Sequence, residues 1–300
     1  ASLVSELQSA IEDQRSIINI VPGEGDVMGV WVYNGDVYAF RNKSGGATAG
    51  MYRSTSTGWD EIDLGTALNF DGTTTSGEPI PGDTGTATTI KGASSGAEGD
   101  LMGITHYGEW TTGAAGSMVL TNITGTFSDN ENLNMPLLAY NSGSLEILAG
   151  DSIEGSSSGK TATVTSVTIS TGTVGDGDAA GYISVKNNSG TWTASEAINI
   201  NGVDHASVNG SSQPSNVTVA VADGTQYAQT IQPGGVYEFT NYNFRGETTG
   251  FTMYGVNTVD NGFSFDGTTF IKLKTGMETD TPQHISAHQK HLFFSYPNGS

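Results

Sequence analysis

Two periods of apolar and polar residues divide the chain. In residues 2–19, Leu3, Val4, Leu7, Ala10 and Ile11 recur every three or four positions, with Ser5, Glu6, Glu12 and Asp13 on the other face. This predicts an amphipathic helix, stopped by Pro22 and Gly23. A lone helix with one apolar stripe needs a surface to pack on, because short isolated helices are marginal in water. From Gly29 onward the period becomes two. GVWVYNGDVYAF (29–40) places Trp31 and Tyr33, then Val37 and Ala39, around Asn34-Gly35, a pair that meets the positive-φ requirement of a type I′ hairpin turn at least steric cost. GMYRS (50–54) and WDEIDL (59–64), joined through Ser56–Gly58, complete a predicted four-strand antiparallel meander. VYEFTNYNF (236–244), FTMYGV (251–256) and NGFSFDGTTFIKL (261–273) repeat this plan, and HISAHQKHLFFSYPNG (284–299) starts it a third time. Four-strand units in succession are the sequence form of propeller blades.

Between the first and second units lies a stretch written twice. IKGASSGAEGDL (90–101) and IEGSSSGKTATV (153–164) match at an offset of 63 through Gly92, Ser95 and Gly96 against Gly155, Ser158 and Gly159. GSMVLTNITGTFSDNENL (116–133) and GYISVKNNSGTWTASEAI (181–198) match at an offset of 65 through Asn122, Gly125, Thr126, Phe127 and Glu131 against Asn187, Gly190, Thr191, Trp192 and Glu196. A repeat of this size implies a duplicated small β unit, suited to display or spacing more than to an active site. Turn-rich segments, GEPIPGDTG (77–85) and NGSSQPSN (209–216), flank it.

The expected architecture is therefore all-β: propeller-like antiparallel meanders with an inserted, internally duplicated small β domain and a short N-terminal helix. The expected boundaries are 1–22 for the helix, 23–66 and 236–300 for an incomplete propeller-like domain, and 67–235 for the insertion, with modules at about 88–135 and 151–203. An insertion of this kind leaves its host intact when its ends lie close together. The chain starts without Met and stops at Asn298-Gly299-Ser300, a turn signal within the third unit, so it reads as a piece of something longer.

Composition narrows the function. Forty-two glycines and only 14% charged residues fit many short strands joined by tight turns. The formal charge of −20 is concentrated between Ser54 and Phe244, where 20 acidic residues face only Lys91, Lys160 and Lys186. Such a surface repels phosphate, which argues against recognition of nucleic acid by contact, while a channel lined by it would let DNA pass without sticking. Keeping a glycine-rich surface soluble is an equally good use of the charge. The absence of cysteine excludes disulfides, thiolate metal sites and thiol catalysis. No apolar run approaches the roughly 20 residues of a membrane-spanning helix, and Ala1–Ile20 lacks the pattern of a signal peptide.

Candidate chemistry is sparse. In a strand, His284 and His288 share a face, and with His291 they are a possible metal site, although ordinary surface histidines fit QHISAHQKH better. Asp176 and Asp178 in GDGDAAG (175–181) have calcium-loop chemistry but too few oxygen ligands, so a turn is the better reading. No Gly-x-Ser-x-Gly elbow or phosphate-cradling loop occurs, and among 31 carboxylates no glycosidase pair stands out. Trp31, Trp59, Phe127 and Trp192 recur at equivalent places and read as core. Tyr107 and Trp110 have no repeat counterpart and are the better candidates for exposed binding aromatics. No catalytic, cofactor or metal residues are assigned, and no cofactor is expected.

VPGEGDVMGVWVYNGDVYAFRN (21–42), MYRSTSTGWDEIDLG (51–65), YGVNTVDNGFSFDGTTFIKLKTG (254–276) and TPQHISAHQKHLFFSYPNG (281–299), taken together, resemble virion proteins of tailed bacteriophages, of the tail-nozzle or propeller tail-tube type. The GASSGA…NITGTF…EN units look like small β modules inserted in phage structural proteins. The resemblance covers most of the chain and rests on packing and turn motifs. It implies a non-enzymatic virion protein in the tail: a homo-oligomeric ring around the DNA channel, touching other tail proteins and passing DNA without specific binding. A receptor- or carbohydrate-binding adhesin is the alternative, and a polysaccharide-degrading enzyme a third.

Overall fold

A computed structural model describes residues 2–17, 19–74, 78–82, 87–211, 213–244 and 250–297. Among the described residues the protein is all-β apart from one helix, α1 (Leu3–Ile17), and a single 3₁₀ turn at Trp110–Thr112. Ser2 caps α1, its hydroxyl accepting from the Ser5 amide at 3.4 Å, and Glu6 in the first turn complements the helix dipole. The chain divides into two compact units, 1–65 with 228–300, and 66–227.

In the first unit, β1 (Glu24–Tyr33), β2 (Asp36–Asn42), β3 (Ala49–Ser54) and β4 (Trp59–Glu61) form one antiparallel meander in chain order. Asn34 and Gly35 adopt φ of 49° and 88°, the paired positive angles that the hairpin requires, so Tyr33 and Asp36 pair directly across the turn. Both faces of β2 are buried: Tyr38 and Phe40 enter the main core, while Ala39 packs on the opposite side with Val21 and Tyr52. Trp31 and Trp59 are only half-buried. Trp31 stacks on Phe239 and donates to Asn241 at 2.8 Å, and Trp59 donates to the Asn19 carbonyl at 3.1 Å. Gly29 admits this packing, since a Cβ there would lie 2.6 Å from the Cβ of Tyr237.

The second unit carries β5 (Thr66–Asp71), β6 (Thr89–Gly92), β7 (Glu98–Tyr107), β8 (Ala115–Thr124), β9 (Asn132–Gly143), β10 (Ser152–Gly155), β11 (Thr161–Thr171), β12 (Ala179–Lys186), β13 (Ala197–Ile200), β14 (Val203–Val208) and β15 (Ser215–Ala222), with β16 (Tyr227–Ala228) beside β5. Followed pair by pair, these strands close two antiparallel rings. The first runs β9, β6, β7, β8, β5, β15 and back to β9. The second runs β9, β12, β11, β10, β13, β14 and back to β9. Closure removes exposed strand edges, the usual liability of β-sheets. Each barrel has its own core: Leu68, Phe70, Leu101, Met118, Phe127 and Leu133 in the first, and Tyr140, Val164, Ile183, Val185, Trp192 and Ile198 in the second.

β9 belongs to both barrels. Leu133, Met135 and Leu137 point into the first core, and Leu138 and Tyr140, on the opposite face of the strand, point into the second. Along one edge β9 pairs with β6 up to Asn134 and with β12 from Leu137 onward. Pro136, which has no amide hydrogen to donate, sits in the changeover. The barrels therefore draw on strands outside the duplicated stretches, with β5 and β15 completing the first and β14 and the end of β9 completing the second.

Back in the first unit, β17 (Glu238–Tyr242), β18 (Thr252–Val256), β19 (Phe263–Phe265) and β20 (Phe270–Lys272) form a second four-stranded antiparallel meander, followed by the hairpin β21 (His284–His288) and β22 (His291–Ser295). One aromatic core joins the two meanders: Phe40 stacks on Tyr237 at 4.6 Å between ring centroids, and Phe263 on Phe270 at 5.0 Å. Gln229 ties the closing segment down, its amide donating to the carbonyls of Leu64 at 2.6 Å and Phe270 at 2.9 Å.

Phe127 and Trp192 occupy corresponding places, 0% and 2% exposed. The Trp192 indole also donates to Asn188 at 2.8 Å. Trp192→Ala should lower unfolding stability by about 3–5 kcal/mol in a denaturant titration, the usual cost of deleting a large buried aromatic. A loss below about 1 kcal/mol would mean that the ring contributes little to the core.

Candidate functional site

The most specific chemistry in the structure is a carboxylate buried twice in the same setting. Gly92–Ala97 forms a tight turn after β6, and Glu131, 5% exposed, reaches into it. Its carboxylate accepts the amides of Ser94 (3.0 Å), Ser95 (2.9 Å) and Ser128 (2.7 Å) and the hydroxyls of Ser94 (2.9 Å) and Ser95 (2.7 Å). In the second barrel Glu196 accepts the amides of Ser157 (2.9 Å), Ser158 (2.8 Å) and Thr193 (2.6 Å) and the hydroxyl of Ser158 (2.8 Å). Gly92 and Gly155 are required by the approach: a Cβ on either would strike the neighbouring glutamate carboxylate and serine hydroxyl. This explains the first Gly, the Ser and the distant Glu of the repeat, while the second glycines, Gly96 and Gly159, hold φ of 68° and 60°. Burial alone would raise the Glu131 carboxyl, but the donors from Ser95, Ser128 and Ser94 outweigh it and bring it from 4.5 down to about 2. Glu196 is lowered through the same contest between burial and its Ser158, Thr193 and Ser157 donors. With every oxygen engaged by fixed donors, these carboxylates act as structural staples.

An open polar cleft of about 660 Å³ lies where the two barrels adjoin, lined by Lys91, Asp100 and Asn122 of the first and by Lys186, Asn187 and Asn188 of the second. Asn122 and Asn187 are repeat counterparts, both left-handed at φ of 50° and 52°. Asp100 accepts from Asn122 at 3.0 Å and from the Thr89 hydroxyl at 3.2 Å, and Lys91 pairs with Glu98 at 2.6 Å. The cleft offers amide, ammonium and carboxylate groups to a polar ligand. Its one sequence signal was the repeated asparagine, which alternation and spacing do not connect to a cleft because the barrels are brought together by β9.

The other candidates separate. His284 is held by Glu238 at 2.7 Å, whereas His288 pairs across the hairpin with His291. The turn between them, Gln289-Lys290, has φ of 45° and 65°. Sharing a strand face does not bring the three together, and among the described residues no group of three or more metal-ligating side chains converges. Asp176 and Asp178 are turn ligands: Asp178 accepts the Thr173 amide at 2.8 Å and Asp176 the Thr173 hydroxyl at 2.9 Å. Trp110 corrects the expectation of an exposed aromatic. It is 7% exposed, packed between Phe70 and His106 with 5.5 Å between ring centroids on each side, and its backbone carbonyl accepts from the buried Thr73 hydroxyl. Tyr107, three residues earlier, does face solvent.

Because the folded Glu131 carboxyl keeps its charge to lower pH than the unfolded one, its contribution to stability is complete above about pH 4.5 and disappears as pH falls toward 2. Denaturation midpoints of the wild type should decline across that window. Glu131→Gln should be less stable at pH 7 and should decline less between pH 4.5 and 2; an unchanged pH profile would refute this role. No protein-family model, curated protein or solved structure matches the chain.

Proposed function

We propose that this chain is a structural subunit of a phage tail, acting in a homo-oligomeric ring of nozzle or tube type around the DNA channel, with its paired meanders as propeller blades and its barrels as inserted modules. The observation that carries this reading is the uncovered stripe of α1. Leu3 and Leu7 are 84% and 62% exposed, with Val4 and Ile11 beside them on the same face. An apolar stripe of this length is stable in water only when something covers it. Edge strand β1 adds exposed Val27, Val30 and Val32, and apolar edges of this kind favour contact between subunits. The net charge of −20 supports a role beside DNA without adhesion to it. The sequence resemblance supplies the tail assignment.

The adhesin reading has less behind it. The polar cleft would meet sugar hydroxyls with amides and carboxylates, but none of its lining residues is aromatic, so a sugar face finds no ring to stack on.

The purified protein should form closed rings by light scattering and negative-stain electron microscopy. Leu3→Glu with Leu7→Glu should reduce these to monomers while leaving the far-ultraviolet spectrum unchanged apart from α1. Purified particles should carry the chain stoichiometrically in a ring, and its removal should stop assembly or genome retention. A monomer at all concentrations that cleaves glycans would overturn the proposal.

A further inference from the structure

The first meander leaves one edge of a sheet face open, and the uncovered helix is held at the other edge. In β1, Val27, Val30 and Val32 lie opposite Arg41, Ala39 and Val37 of β2. Those three alternate along β2, so their partners share one face, and the bulge between Val27 and Gly29 absorbs the odd spacing. This is the face turned away from Tyr38, Phe40 and the main core. Its middle is covered from within the chain, where Val21 packs with Ala39 and Tyr52, and Trp59 lies against them. Its β1 edge is not: Val30 and Val32 are 56% and 58% exposed, with Val27 exposed on the same side.

The segment that joins α1 to β1 crosses this face from the far side. The Asn19 amide donates to the Thr57 carbonyl at 3.1 Å, and the Trp59 indole donates to the Asn19 carbonyl at 3.1 Å, which holds the exit of the helix at the β3–β4 turn. Val21 then passes over β2 and β3, its carbonyl accepting from Arg41, and Gly23 lies against the Asn42 carbonyl before β1 begins. α1 ends at Ile17, only two residues before Asn19, so it is held on the β4 side of the sheet. The open valines are on β1, three strand spacings or about 14 Å away, with residues 19–23 crossing between. A helix stripe and a sheet face that are both apolar each need another element to leave water. Their lengths agree: Leu3 to Ile11 spans about 12 Å of helix, and Val27 to Val32 about 16 Å of strand.

We infer that α1 of one copy packs on the β1 valines of the next copy, Leu3, Val4, Leu7 and Ile11 covering Val27, Val30 and Val32. Helix and acceptor are different surfaces at opposite edges of one sheet, so the contact is head-to-tail, the kind that generates rings when its rotation closes. The inference names the interface of the ring proposed above and rests on that assembly, though not on its place in a phage.

Two variants of the full chain test it. Leu3→Glu with Leu7→Glu disables the helix and keeps the sheet face, whereas Val30→Glu with Val32→Glu disables the face and keeps the helix. Because these valines are exposed, the second variant should keep the far-ultraviolet spectrum of the wild type. Each variant alone should be a monomer by light scattering. An equimolar mixture should double in mass and stop there, since one intact helix then meets one intact face and nothing remains to extend the assembly. A mixture that stays monomeric would overturn the inference. So would a valine variant that still forms rings, which would leave the ring itself standing on another contact; a monomeric wild type would sink both. The chain has no cysteine, so Leu7→Cys and Val30→Cys chains, co-expressed and oxidised, give a reading that needs no added charge. Disulfide-linked dimers should contain one chain of each kind, and links only between two Leu7→Cys chains would mean that helices meet each other instead.

Discussion

One strand sets the geometry of residues 66–227. β9 gives one face of its first half to one core and the opposite face of its second half to another, through Leu133, Met135 and Leu137 on one side and Leu138 and Tyr140 on the other. A slip of a single residue would exchange inside for outside in both barrels at once, so its register is doubly specified. The partner change from β6 to β12 is placed where Pro136 has no hydrogen to donate. The shared strand also brings the two barrels together at the polar cleft, which both of them line.

Local features were legible in the sequence wherever local chemistry decides the structure. Asn34-Gly35 specified a hairpin and its register, the three- and four-residue spacing specified α1, and the repeated Gly, Ser and Glu marked corresponding turns. Long-range pairing was not legible. Nothing in the alternation of TALNF (66–70) or VTVAV (217–221) says that these strands complete a ring with segments far away in the chain. Trp110 shows the same limit: it has no repeat counterpart, which suggested a surface role, but Phe70 and Thr73, distant in sequence, pack on it. The histidines failed as a group for a related reason, because sheet pairing brought His288 to His291 and drew His284 toward Glu238.

The acidic excess also divides into two kinds. Glu131 and Glu196 are internal, their charge spread over amide and hydroxyl donors. Asp260 is nearly as enclosed, pairing with Lys272 at 2.6 Å while accepting the Gln232 amide at 2.8 Å. Removing one member of such a pair leaves an uncompensated buried charge. These carboxylates would be kept whatever the protein's partners were, so only the remaining, solvent-facing acids bear on what the surface repels.

The route of the chain through the barrels determines how they respond to tension. The polypeptide enters at β5 and leaves past β15 and β16, and the Gln229 amide donates to the Gly65 carbonyl at 2.9 Å where the two ends meet. Force applied through those ends loads adjacent antiparallel strands at one end, so their hydrogen bonds open in sequence, like a zipper, instead of resisting together in shear. The first barrel is therefore a mechanical fuse. The second comes under load as soon as β15 has been peeled away, because β15 follows its strand β14 directly in the chain.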